Sequence, residues 1–326
     1  MAVPGSDSSF QGNKGCAEKL GRRFSHMQNT RIHTLLNAAP LVLCAAFVMQ
    51  ASAGGLHKEI KRTKEKEVRI KLESSFGTVV CSRGPSDKVM IFDLKMEDDH
   101  KPNVDIDYRI KNDVGYLDIS RESDGGNSVS LHLNDDDEDR NEGSFENGKW
   151  YMRFTDAVPL SIDAELGAGR GDFDMTGLDI KDFTMSAGAS STTLTFGEPN
   201  KSEIDDMEIR SGVSKFVGEK LCNANFNRLT FEGGVGSYYL NFEGELHREV
   251  NVKIKIGLGA VTIVIPRETG AKVHYQENWF SNFTIDKDFD EERKGVYVTD
   301  NYSTAEGKMN IYVESGLGSV KVKLEK

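Results

Sequence analysis

The sequence predicts an all-β solenoid, a β-helix-like coil that winds with about 22 residues per turn. Three observations carry this prediction: apolar and polar residues alternate with period two, a glycine separates paired alternating runs, and the whole unit recurs at near-constant spacing. The clearest anchors are Gly167, Gly188, Gly212, Gly234, Gly257 and Gly316. Apolar or small residues stand five and three positions before an anchor and one, four and six after it. Around Gly234 these are Leu229, Phe231, Val235, Tyr238 and Leu240; around Gly257, Val252, Ile254, Leu258, Val261 and Ile263; around Gly316, Ile311, Val313, Leu317, Val320 and Val322. Anchor spacings of 21, 24, 22 and 23 residues from Gly167 to Gly257 are too regular for unrelated hairpins. At about 3.3 Å per residue such a unit has a contour near 70 Å, enough to wrap a core and return one strand spacing further along. An antiparallel β-sandwich shares the alternation and remains the competing architecture.

From the N-terminus, residues 1–26 are polar and precede a second start at Met27; they are an extension or a mis-assigned start and carry no fold. Residues 27–53 have the layout of a signal peptide: Arg31 and His33, an apolar run over 35–49, then the small residues Ala51 and Ala53 before the expected cleavage point. The apolar run contains Asn37 and Pro40 and is shorter than the roughly 20 residues a membrane span needs. Leu43 before Cys44 does not suit lipidation. The chain is therefore expected to be exported, to the periplasm or cell surface, with no integral span after cleavage. Removal of 1–53, with five Lys/Arg and two Asp/Glu, moves the net charge from −11 to −14 and leaves Cys81 and Cys222 as the remaining cysteines. An acidic surface excludes nucleic-acid binding by bulk electrostatics. The two thiols read better as small buried hydrophobes than as a disulfide.

Residues 54–65 read as a polar linker and 66–326 as the solenoid. Two weaker copies of the frame open it, around Ser75 (Ile70, Leu72, Phe76, Val79, Cys81) and around Asp113 (Tyr108, Ile110, Val114, Leu117, Ile119). A second glycine recurs two places after the anchor as Gly77, Gly115, Gly169, Gly236, Gly259 and Gly318. Each corner is expected to need glycine for a positive φ. Two intervals interrupt the repeat. The first carries the acidic run Asp135, Asp136, Asp137, Glu138, Asp139, which reads as a solvated loop rather than a calcium site because it lacks spaced ligands and a turn glycine. The second carries Trp279, Phe280, Phe283, Phe289, Tyr297 and Tyr302, expected to cap an end of the core rather than form a ligand platform.

No reactive constellation emerges. His57, His100, His132, His247 and His274 are dispersed, and no metal-ligand, nucleophile-elbow or phosphate-loop spacing is present. Arg170 and Asp172 flank Gly171, a weak echo of polysaccharide-cleaving β-helices. The reading is a non-enzyme with no cofactor, no catalytic residue and no metal site.

The stretches VPLSIDAELGAGRGDFDM, FEGGVGSYYLNFEGEL, IGLGAVTIVIPRETGAKV and MNIYVESGLGSVKVKL together resemble the bacterial toastrack or adhesin-type domain family, itself similar to the C-terminal domain of cell-wall-active antibiotic response proteins. The likeness is best over residues 145–326 and looser over 66–145. It implies a single-stranded right-handed β-helix-like domain of envelope proteins, with roles in adhesion, assembly or envelope-stress sensing and no catalytic residues. The expected partner is an envelope glycan or envelope protein, with self-association as a further possibility. A carbohydrate-active enzyme and a purely structural self-assembling subunit are the alternatives.

Overall fold

The computed structural model describes residues 48–52, 55–95, 104–121, 148–276 and 279–325, with side chains from residue 55 onward. All lie in the unit spanning Leu43–Lys326. Residues 1–26, most of 27–53 including Ala53, and the acidic run at 135–139 fall outside the described residues.

The chain begins with β1 (Val48–Ser52), whose backbone includes Ala51 and lies antiparallel to β2 (Gly55–Lys61). The expected linker over 54–65 is thus largely a strand, because Ile60 buries its side chain and β2 pairs along its length with β4. Next come β3 (Glu67–Arg83), β4 (Lys88–Lys95), β5 (Val104–Lys111), β6 (Val114–Arg121) and β7 (Lys149–Phe154). The repeat proper continues through β8 (Leu160–Asp174), β9 (Ile180–Thr195), β10 (Ile204–Glu219), β11 (Phe226–Asn241) and β12 (Glu249–Ile265). After β13 (Gly270–Tyr275), β14 (Ser281–Ile285), β15 (Phe289–Arg293) and β16 (Val296–Thr299), β17 (Lys308–Leu324) closes the described chain.

Seven long strands stack in parallel in the order β3–β8–β9–β10–β11–β12–β17. Each passes through a corner at its anchor, so one strand supplies two faces of the coil. This parallel register is that of a solenoid and not of an antiparallel sandwich. Residues five and three before the anchor and four and six after it point inward: Leu229, Phe231, Tyr238 and Leu240 of β11 are all buried, as are Val252, Ile254, Val261 and Ile263 of β12. Aromatic rings meet between coils and across the corner, with Phe216 of β10 and Phe231 of β11 at 5.2 Å, and Phe231 and Tyr238 of the same strand at 5.3 Å between ring centres.

Two expectations about the corner fail. Positive φ belongs not to the anchors but to the second glycine column, at Gly77 (119°), Gly169 (127°), Gly259 (137°) and Gly318 (136°). The anchors are glycine for a different reason, a close approach between coils. A Cβ on Gly234 would lie 2.8 Å from the Gly212 carbonyl oxygen, and one on Gly188 would lie 2.4 Å from that of Gly167. The residue one after the anchor, expected inside, is exposed: Val235, Leu258 and Leu317 all face solvent. The weak copy at Asp113 is also not a coil corner. Asn112 (φ 53°) and Asp113 (φ 60°) form the two-residue turn of the antiparallel β5–β6 hairpin, where both central residues take the left-handed conformation.

Returns between coils are pinned by buried asparagines. The Asn200 amide donates to the carbonyls of Ile180 (2.6 Å), Ser202 (2.7 Å) and Ala224 (3.2 Å), while its Oδ1 accepts from the Ile180 N–H at 2.8 Å. One side chain therefore ties three successive turns. Asn223 repeats the device, donating to Phe196 O at 2.9 Å and accepting from Glu245 N at 3.0 Å.

The two ends are built alike. At the first, the halves of β3 pair separately with β6 and β7, and β7 continues antiparallel through β4 to β2. At the other, the halves of β17 pair with β13 and β14, and β13 continues antiparallel to β16 and β15. Cys81 and Cys222 are free and buried, as small core residues, and burial pushes the Cys222 thiol up to about 12. Among the described residues no helix is long and apolar enough to cross a membrane.

Two stability predictions follow from these contacts. Gly234→Ala, at an ordinary φ, should cost about 1–3 kcal/mol because its Cβ overlaps the neighbouring coil, and thermal unfolding would show an unchanged midpoint if the approach were not tight. Asn200→Ala, which strands buried groups on three turns, should cost about 2–4 kcal/mol in denaturant unfolding, well beyond a surface Asn→Ala change such as Asn227→Ala.

Candidate functional site

The corner column shapes a long concavity. Because every strand kinks at its anchor, the stacked kinks form an open trough of about 1070 Å³ that crosses all seven long strands. At about 4.8 Å per strand this is a channel close to 30 Å long. Its floor is the anchor column, from Ser75 through Gly167, Gly188, Gly212, Gly234 and Gly257 to Gly316. Glycine here leaves main chain bare along the floor. Beneath it, the Tyr238 hydroxyl donates to the Gly212 carbonyl at 3.4 Å, and burial raises its pKa.

The wall is set by the residues two before each anchor, which alternation turns outward on the first arm. In register they read Glu73, Glu165, Ser186, Arg210, Glu232, Lys255, Glu314. Lateral ion pairs link neighbours in this row, Lys255 to Glu232 at 3.4 Å and Arg210 to Glu232 at 3.9 Å. Arg121 stands at one end of the trough, its guanidinium donating to the Phe76 carbonyl at 3.4 Å; Gln276 lines the other, its N–H bonded to Val313 O at 3.2 Å.

Immediately after the floor comes a ridge of apolar side chains with no apolar cover. Val213 is 65% exposed, Val235 44%, Leu258 45% and Leu317 51%, and the register places them side by side on adjacent strands. Phe280, 73% exposed, extends the row, since the Gly318 N–H donates to its carbonyl at 3.1 Å and Ser281 pairs with Gly318. Trp279 beside it is 99% exposed. Scattered exposed leucines are ordinary, whereas here four aliphatic side chains stand in one row on adjacent strands, with Phe280 in the turn before β14 at its end.

The aromatic segment thus divides. Phe283 stacks on Tyr275 at 4.1 Å and meets Tyr297 at 5.2 Å, and Phe289 is buried, so these cap the core end as expected. Tyr302 packs over Lys272 and bonds Asn310. Trp279 and Phe280, largely exposed, lie on the surface.

The remaining candidates stay apart. Arg170 lies between Thr78 and Ser191 in the ladder and Asp172 between Val80 and Thr193, so no carboxylate faces another across a reacting distance there. Among the described residues no group of three or more His, Cys, Asp or Glu is arranged to hold a metal. Among the described residues the shortest histidine–carboxylate pair, His57 Nδ1 to Asp93 Oδ1 at 2.5 Å, also contacts Arg153 through Asp93 and sits on the end sheet, away from the corner. The anchor glycines act as a floor and not as ligands. The corner can therefore bind by shape, ion pairing and apolar contact.

The apolar ridge was missed in the sequence, yet a signal existed. Inward offsets are odd before the anchor and even after it, so an extra residue must sit at the corner and reset the alternation. With that shift, the residue after the anchor goes outward.

A family model described as the N-terminal domain of toast_rack, DUF2154, matches residues 50–219. That range ends with β10, and the remaining coils extend the same parallel stack. No curated protein matches the chain at a significant level. Among solved structures, the chain is similar to a provisionally designated cell adhesion protein from Clostridium sporogenes, with 18% identity over 83% of this chain and 99% of the other and a TM-score of 0.41. It is also similar to provisionally designated adhesins from Bacteroides fragilis (10% identity, 83% and 98% covered, TM-score 0.29) and Parabacteroides merdae (11%, 84% and 97%, TM-score 0.31).

A prediction follows from the geometry of the ridge. Leu258→Lys together with Leu317→Lys should leave the unfolding midpoint within a few degrees of the parent, because surface changes cost about 0.5 kcal/mol or less. A hydrophobic-dye assay should show reduced binding at the corner, and a large loss of stability would instead place these side chains in the core.

Proposed function

The chain belongs to the toast_rack N-terminal domain family, and from that premise we propose a non-enzymatic, adhesin-like module that is exported and holds an envelope partner along its corner. The observation that carries this reading is the apolar ridge of Val213, Val235, Leu258, Leu317 and Phe280 beside a polar trough. Such a row costs solubility and contributes nothing to the core, so its use lies in contact with something else. The solenoid keeps it rigid: each side chain projects from a strand paired on both sides or, for Phe280, from the bonded edge, so little ordering entropy is lost on binding.

A protein partner fits better than a flat glycan sheet. The ridge has a single row of aliphatic side chains with one aromatic end, whereas sugar rings are gripped by aromatic faces, and the wall offers paired charges of both signs. The module is expected to act at the cell envelope, as the leader over 27–53 suggests, in adhesion, assembly or the sensing of envelope stress.

End-to-end polymerisation is disfavoured by the caps. β15 carries Asp290, Glu291, Glu292 and Arg293 and a register irregularity on its pairing with β16, features that blunt an edge against strand addition.

The test is co-sedimentation of purified protein with isolated envelope, separated into glycan and detergent-extracted protein fractions, with soluble fragments assayed in parallel. Retention by the protein fraction, reduced about tenfold or more by Leu258→Lys with Leu317→Lys, is the expected result. Fragment release would overturn the non-enzymatic reading, and retention indifferent to the ridge would overturn the corner as its seat.

A further inference from the structure

We propose that the partner seated on the corner is a second copy of this chain, packed face to face with its coil order reversed. The inference rests on the corner being the contact surface, and deepens it by naming what covers it.

The argument comes from the order of charges and sizes along the stack. On β10, β11, β12 and β17 the wall reads Arg210, Glu232, Lys255, Glu314, alternating in sign. The ridge on the same four strands reads Val213, Val235, Leu258, Leu317. Consider a twofold axis lying in this face, across the coils, between β11 and β12. It sets Arg210 against the second copy's Glu314 and Glu232 against the second copy's Lys255, and the symmetry repeats both contacts. Four opposite-charge pairs result and no like pair. The same axis sets Val235 against Leu258 and Val213 against Leu317. One strand further out it brings the large Phe280 of β14's edge opposite the small Ala189 of β9, so bulk meets space.

Other registers either fail on charge or pair less: an axis between β12 and β17 keeps only the contact of Lys255 with Glu314. An axis centred on β11 opposes Glu232 to itself and Arg210 to Lys255; one centred on β12 opposes Lys255 to itself and Glu232 to Glu314. An axis between β10 and β11 brings Glu165 against Glu314. Parallel packing, with the axis along the solenoid, faces every charge with its own copy when the axis runs along the wall, and lays the charges on the second copy's apolar ridge when it runs along the floor. Like-charge juxtaposition is what sets register in such contacts. The self-complementary face is the defining property of an isologous dimer.

The row spans five strand steps, about 24 Å, and the corner is some five residues wide, which gives roughly 400 Å² per copy. That is the size of a weak, reversible interface. Association is therefore expected at high local concentration, as on a crowded envelope surface, and not as an obligate dimer. An anionic lipid surface is a poorer occupant, since Glu73, Glu165, Glu232 and Glu314 line the same trough.

The test is sedimentation velocity of the purified full chain from micromolar to near-millimolar concentration. The parent should show a sedimentation coefficient that rises with concentration to that of a dimer. Leu258→Lys should abolish the rise. Arg210→Glu and Glu314→Arg should each weaken association about tenfold or more, since each dimer then holds two like-charge pairs. Mixing these two variants should restore it, because in the mixed dimer Glu at 210 meets Glu at neither site and every contact is again opposite in sign; the double variant should recover likewise. A parent that stays monomeric throughout, an association that survives Leu258→Lys, or a mixture no tighter than its components would overturn the proposal. If the monomeric parent still holds envelope protein through the ridge, self-association alone falls; if envelope retention is also lost, the corner reading falls with it.

Discussion

Everything in this molecule depends on how closely one coil's main chain approaches the next at the corner. At the anchor column the carbonyl oxygen of each coil occupies the space where the following residue would carry a Cβ, 2.7 Å away at Gly257 and nearer still at Gly316. From Gly167 onward, only a residue without a side chain lets each strand kink against its predecessor and still pair on both sides of the kink; Ser75 lies on the first long strand, which has no predecessor in the stack. Were any one of these positions filled, the coils would have to separate locally, and the ladders on either arm would lose register. The spacing of the sequence repeat is therefore a record of this contact: the loop lengths vary, but the anchor always returns to the same column.

The kink has a second effect, on the direction of side chains. An extra residue at the corner moves the inward set from odd offsets to even ones, so that both arms face one core while the residues at the bend turn out. The bend is also where the second glycine column adopts φ between 119° and 137°, at Gly77, Gly169, Gly259 and Gly318, a region that side chains rarely enter. Main-chain geometry thus leaves few choices at the corner. The freedom that remains lies at the residue after the anchor and the residue two before it, and there the chain has placed aliphatic groups and alternating charges. Structural necessity produced the trough, while the composition of its two lips was free to be used for recognition.

The ends and returns serve the stack rather than the site. Buried asparagines replace the backbone partners that tight returns between coils would otherwise lack, which is why Asn200 and Asn223 recur at coil spacing. At both ends the two arms are finished by separate, shorter strands that pair parallel with the last long strand and carry antiparallel strands beyond them, and β15 among these is heavily charged. A solenoid closed in this way exposes its sides and not its ends to partners.

Period two and the spacing of Gly167, Gly188, Gly212, Gly234, Gly257 and Gly316 were enough to determine an all-β chain and the core positions five and three before and four and six after each anchor, with a coil favoured over an antiparallel sandwich. These are local properties: alternation follows from strand geometry, and a repeat length follows from the need to return to one column. Three matters were decided only by the tertiary structure. The anchors proved to be glycine for contact between coils and not for φ, because the obstructing atom belongs to a residue more than twenty positions away. Asp113, with the right local pattern, became a hairpin turn because its strands fold back on each other instead of joining the stack. The outward turn of Val213, Val235, Leu258 and Leu317 needed the position of the extra residue, which sequence parity signals but only the parallel register between coils assigns to a particular side chain.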